Sequence, residues 1–264
     1  MINGVIWKME FRRSLKNLII WGLVFGGYLL LTIVLYPLVK DMYAAMPDEL
    51  LQYMDMMGGL PNNIVEYYAV EAAMMAQLGG AIFASIIGYS LLGHDEREAT
   101  TDVVYSLPVS RQTQFLTRLC VLVTEIVIFS GIFIVLFSLT GIIAIERGTN
   151  LATFFRFHAF NTVLLLLMGM LGFSLAALSK RAVKPGLALL IPLFFYIVLL
   201  VSQLTNDKIL KDLRYLTPYA FADPVGIIKK GEGMLIWTFC GWLAVTAVFL
   251  IVGLASFKRK EFIQ

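Results

Sequence analysis

The chain has 264 residues, of which 59% are hydrophobic and 15% charged, with a mean hydropathy of +0.81 and a formal net charge of +3. Charged residues alone approach about a quarter of an ordinary soluble domain, so a soluble globular protein is excluded. The small net charge says little by itself, and no nucleic-acid partner is expected.

Residues 2–16 come first. Ile2, Val5, Ile6 and Met9 recur at helical spacing, and Lys8, Arg12 and Arg13 supply a basic face beside Trp7. This pattern predicts an amphipathic helix lying in the membrane interface and leading into a first span at Asn17. Crossing a bilayer takes about 20 mainly apolar residues in a helix. Six segments qualify, near 18–39, 72–93, 119–145, 157–179, 185–206 and 234–257. Backbone groups in lipid must find partners within their own segment, so these runs are expected to be helices. They are too long for the alternating strands of a membrane barrel. The first run offers no small-residue cleavage site at Tyr36-Pro37-Leu38-Val39 and is not expected to be a cleavable signal. The predicted fold class is therefore an all-α polytopic membrane protein of six transmembrane helices, a single transmembrane domain over 1–264.

Residues 40–71 form an acidic outer loop carrying a turn at Gly58-Gly59-Leu60-Pro61-Asn62-Asn63. In the second span Ala72, Ala76, Gly80, Ala84 and Gly88 recur every four residues. Such a stripe of small side chains lets another helix approach closely. It serves packing within one subunit or a dimer interface, and both readings stand at this point.

A polar insert at 94–118 follows, densely charged at His94-Asp95-Glu96-Arg97-Glu98. Residues 101–107 can form a short helix that Pro108 ends or kinks. Ser110 is placed to cap the next helix. Glu125 lies about two turns into the third span. An ionisable residue there is a functional candidate by default, and an ion pair with a neighbouring Arg or Lys is the favoured reading. Pro192 is expected to bend the fifth span. Beyond that span, Ile209, Leu210, Leu213 and Leu216 follow one helical face, expected against the outer membrane surface. A proline-punctuated aromatic turn, 215–224, precedes the last span.

Six spans put both termini on one side. Lys8, Arg12, Arg13, Lys16, Arg97, Arg111, Arg118, Lys180, Arg181, Lys184, Lys258, Arg259 and Lys260 gather on that side, and the acidic residues lean the other way. Basic flanks hold the cytoplasmic side, so both termini are expected to be cytoplasmic in a multi-pass protein of the plasma membrane. Cys120 and Cys240 fall within spans at no metal-ligand or redox spacing and are read as packing residues. No metal site and no catalytic residue is expected: no nucleophile is evidently paired with a base inside the spans.

Together these residues resemble the bacterial-like membrane (permease) subunit of an ATP-binding-cassette exporter of the type 2 class. Glu98 and Thr100, then Leu107, Pro108, Val109, Ser110 and Arg111, match the Glu-Gly-Thr element and the Leu-Pro-Val-Ser-Arg turn of that class, with Ala99 in place of the usual glycine. Leu216-Thr217-Pro218-Tyr219 through Asp223-Pro224 is similar to its proline-rich turn before the last span. The resemblance implies that 94–118 is the coupling segment, seated in a groove of a cytoplasmic ATPase. It also implies two ATPase copies per complex and a second permease subunit, identical or related. No cofactor is expected on this chain; ATP and Mg would belong to the partner ATPase, since no G-x-x-x-x-G-K-[ST] loop is present. The apolar spans favour a hydrophobic or amphipathic cargo such as a peptide, lipid or drug. A non-transporting membrane scaffold or sensor, an ion-extruding permease and an intramembrane enzyme are the alternatives.

Overall fold

A computed structural model describes residues 2–47, 50, 59–97, 108–179, 184–205 and 207–259. Among them, six helical stretches are long and apolar enough to cross a membrane. They are span 1 (Gly4–Val34), span 2 (Ile64–Asp95), span 3 (Arg111–Ile145), span 4 (Ala152–Leu178), span 5 (Pro185–Leu204) and span 6 (Ile236–Arg259). Apart from the connecting turns the described structure is helical, with no strand among the described residues.

Span 1 differs from the sequence expectation. Residues 2–16 do not form a separate interfacial helix, because one uninterrupted helix of 31 residues runs from Gly4. No proline interrupts it, and the Asn3 side chain caps it by accepting from the Val5 and Ile6 amides at 3.0 and 3.1 Å. At about 1.5 Å per residue the helix is roughly 46 Å long, well beyond the ~30 Å hydrocarbon layer. Its first turns therefore extend past the apolar layer along the same axis. Buried on it are Ile6, Glu10, Ser14, Leu18, Gly22, Gly26, Leu29 and Ile33, a nearly unbroken every-fourth-residue stripe that includes two polar residues. Ile2 and Val5 face outward.

Span 2 starts at an Asn63 cap that accepts from the Val65 and Glu66 amides. It passes through a π turn at Tyr68–Ala72 and continues as an α-helix to Arg97. Its largest interface is with span 4. Ala76, Gly80, Ala84 and Gly88 are all buried there or nearby. A side chain begun at Gly88 would meet the Gly169 carbonyl, and one at Gly172 the Ser85 carbonyl, so the two backbones touch. Gly80 lies under Leu165 of span 4. Close approach of this kind supplies van der Waals contact where lipid gives no hydrophobic drive.

Span 3 carries a longer π segment, Phe129–Leu136, which the hydropathy pattern does not announce. It buries Phe129 against Phe83, stacked at 4.2 Å, and lays Phe133 over Gly22 of span 1. The span ends at a turn whose Gly148 takes φ +87°, a left-handed conformation that glycine adopts without strain. Span 4 is central: 67% of its most apolar window is buried, against 17% in spans 5 and 6. Span 5 opens as a 3-10 turn, Pro185–Leu189, and becomes α-helical at Leu190. Pro192 thus sits in the first turn of the α segment, where its missing N–H falls at the change of helix type.

The segment between spans 5 and 6 has two characters. Lys208–Asp212, capped by Asp207, lies on the surface with Ile209 and Leu216 exposed. The following turns instead sink inward, burying Tyr219, Phe221, Ala222 and Ile227.

Candidate functional site

The ends of the insert are where charge gathers. Glu98, Thr100, Leu107 and the expected helix over 101–107 lie outside the described residues. Pro108 and Ser110 are exposed on the approach to span 3. Between them, the Val109 carbonyl accepts from Gln114 Nε2 at 3.3 Å. The Ser110 hydroxyl accepts from the Thr113 amide at 3.2 Å, capping the span. Arg111 donates to the Lys258 carbonyl at 3.2 Å, joining the start of span 3 to the end of span 6. The Asn3 amide donates to Thr117 Oγ1 at 3.0 Å. Both described ends of the chain therefore lie at the end of the bundle that carries the insert.

Just inside that end is a closed ring of charges. Arg118, fully buried on span 3, contacts Glu10 of span 1 at 2.8 Å and also Asp95 at the end of span 2. Arg13, one turn from Glu10, reaches Glu10 at 3.1 Å and Asp95 at 3.2 Å. Each arginine thus bridges both carboxylates, and the quartet is neutral. Glu10 and Asp95 are each 1% exposed. Charges this deep persist only when paired and hydrogen-bonded, and the ring meets that requirement across three helices. Asp95 stands near the start of the insert and Arg118 at its end, so both arms of the insert are tied to span 1.

Two turns deeper on span 3 lies Glu125, fully buried. Its described partner is not an Arg or Lys, as expected, but the hydroxyl of Ser14, which donates to Oε1. Ser14 is one turn beyond Glu10 on the same face of span 1. Glu125 Oε2 has no hydrogen-bond partner among the described residues. Span 1 and span 3 are thus joined by a ladder: Asn3–Thr117, Glu10–Arg118, Ser14–Glu125.

Sequence reasoning singled out Glu125 but missed Glu10, Arg13, Asp95 and Arg118 as a unit. The available signal was the position of Glu10 and Ser14 within an every-fourth-residue row that continues into Leu18, Gly22 and Gly26. Arg118 and Glu125, seven residues apart, likewise share a helix face. Among the described residues no group of three His, Cys, Asp or Glu side chains could hold a metal ion.

A polar insert at one end of six apolar helices, anchored by buried charges, is a membrane-protein arrangement, and comparison with known families decides which. The family model of ABC-2 family transporter proteins matches residues 5–262. The chain belongs to this family. It is thus a multi-pass membrane protein and a membrane component of an ABC transporter, the class that works with an ATPase subunit. No curated protein matches it. The ABC-2 match runs through span 1, the insert and span 6 alike, so the ring belongs to the transporter domain itself.

Proposed function

We propose that this chain is the transmembrane subunit of an ATP-driven exporter, and that the 94–118 insert is its coupling element. In this reading the insert sits in a groove of a cytoplasmic ATPase, two copies of which dock beneath two permease subunits, identical or related. The chain is non-catalytic, and nucleotide and Mg belong to the ATPase. The cargo is hydrophobic or amphipathic and takes its path between the spans.

One observation supports this reading best. The arms of the insert are connected to span 1 through buried ionic contacts, so displacement of the insert is resisted by rigid pairing rather than absorbed by loose loops. ATP binding biases a conformational equilibrium only as far as it favours one state. A stiff connection from the ATPase to three spans would carry that bias into the membrane.

Purification of the tagged protein from its native membrane in mild detergent tests the proposal. An ABC ATPase should co-purify with the wild-type chain and be lost, or its hydrolysis uncoupled from transport, when Pro108 and Arg111 are both replaced by alanine. Retention of a fully coupled complex by that variant would remove 94–118 from the role. Absence of any ATPase from an intact preparation would favour the scaffold reading.

A further inference from the structure

At the end of the bundle away from the insert, the inward-turned segment before span 6 closes a cavity of about 90 Å³ between spans 2 and 5. Met74, Leu199, Tyr219 and Phe221 line it with apolar surface. Its polar groups are distributed less evenly. Gln77, 1% exposed, gives its Nε2 to the Ala222 carbonyl at 2.5 Å. That leaves Gln77 Oε1 as an acceptor at the cavity wall that no described residue engages.

Two carboxylates converge on the same wall. Glu232 Oε2 and Asp223 Oδ2 lie 2.8 and 3.0 Å from the point where a side chain at Gly226 would begin, so both carboxylates draw close to the same glycine and a larger residue there would displace them. The Val225 amide donates to Asp223 Oδ1 at 3.2 Å. Neither carboxylate forms an ion pair among the described residues. Burial pushes the Asp223 carboxyl above the ordinary carboxylate range; the Gly226 and Val225 amides pull it back, Glu232 raises it further, and Lys230 lowers it. Arg214, at the exposed side of the cavity, lies over the Tyr215 ring and donates to its hydroxyl at 2.5 Å.

We propose that this cavity binds a primary ammonium group carried next to an anion, with the ammonium donating to Asp223, Glu232 and Gln77 Oε1 and the anion meeting Arg214. A primary ammonium has three N–H donors, and the cavity offers three acceptor side chains. A quaternary ammonium has no N–H donor and would leave all three acceptors without a hydrogen bond, so the site favours the primary amine. The volume admits a group of aminoethyl size and leaves any acyl chain outside. An ethanolamine-phosphate group has this chemistry, whether on a membrane lipid or free in solution. Binding is a property of this chain alone and needs no ATPase.

Native mass spectrometry of the purified full-length protein tests the proposal with three probes: phosphatidylethanolamine, phosphatidylcholine and soluble O-phosphoethanolamine. Glu232→Gln and Asp223→Asn provide the controls. Glu232 is exposed, so its replacement by the amide leaves the fold unstrained, and the Asp223→Asn side chain keeps an Oδ1 acceptor for the Val225 amide. The thermal unfolding midpoint of each variant is measured alongside, and Glu232→Gln carries the test if Asp223→Asn does not fold. At least tenfold preferential retention of phosphatidylethanolamine over phosphatidylcholine, lost in the variants, supports the site with a lipid source. Binding of O-phosphoethanolamine that the variants lose, without lipid discrimination, supports it with a soluble source. Equal retention of both lipids with no binding of the soluble amine, or wild-type binding by the variants, overturns it.

Discussion

Arg118 carries the largest consequence of any single residue. It is buried with no exposed surface, and both Glu10 and Asp95 depend on it. Removing one partner from a buried pair leaves an uncompensated charge and costs about 3–5 kcal/mol. Arg118→Gln should therefore lower the thermal unfolding midpoint in detergent sharply. Adding Glu10→Gln to that variant should recover part of the loss, because Arg13 then faces one carboxylate instead of two and the buried cluster is neutral again. If the two substitutions merely add, the ring is not an interacting unit. Ser110→Ala should cost only about 1 kcal/mol, the usual worth of an N-cap, and should act through the start of span 3. The residue types of the ring were visible in the sequence, but their meeting was not. Glu10 and Arg118 are distant along the chain, and only the packing of span 1 on span 3 brings them together. Counting charges by side read Arg118 as a flank residue and left both of its partners hidden, whereas the structure buries it within span 3.

At the scale of elements, the six apolar runs were legible because lipid demands long helices with few charges, and each run has its counterpart in the structure. Their ends were less so. Span 1 absorbs the expected interfacial helix, since nothing in residues 10–20 breaks a helix and its charged turns find partners on span 3. The π segment in span 3 left no mark on the hydropathy pattern, because one extra residue per turn changes which side chain faces inward and not how apolar the run is. The small-residue row of span 2 was legible as a close-approach surface, but its partner was not. The structure places Gly88 on the Gly169 backbone and Gly80 under Leu165, inside one subunit. Gly88→Leu should consequently destabilise the monomer by at least about 1–3 kcal/mol, the common cost of overpacking. Unfolding in detergent at several protein concentrations checks this. A loss of stability that appears only on dissociation of a dimer would instead place the row at a subunit interface.

For the molecule as a whole, an end-to-end polarity emerges. One end holds both described termini, the insert arms, the Arg111–Lys258 contact and the charge ring. The other holds the segment that folds inward between spans 5 and 6. We propose, from the positive-inside rule, that the first end is the cytoplasmic one. Gln112→Cys and Lys230→Cys, each introduced singly into a Cys120→Ser, Cys240→Ser background, should then react with a membrane-impermeant thiol reagent from opposite sides. Labelling of both from one side would contradict the topology. The inward fold of residues 218–228 was not readable from its sequence, where prolines and aromatics suggested only a turn; its burial depends on the space left between spans 2, 4 and 6. The most direct test of the coupling assignment is a photo-crosslinking amino acid placed at exposed Gln112, at the mouth of the insert, with Lys230 as the control position. Irradiation of native membranes should join the Gln112 variant to an ABC ATPase in a nucleotide-dependent manner and leave the Lys230 variant unjoined. Crosslinks from Gln112 to lipid alone, or equal ATPase capture from both positions, would contradict it.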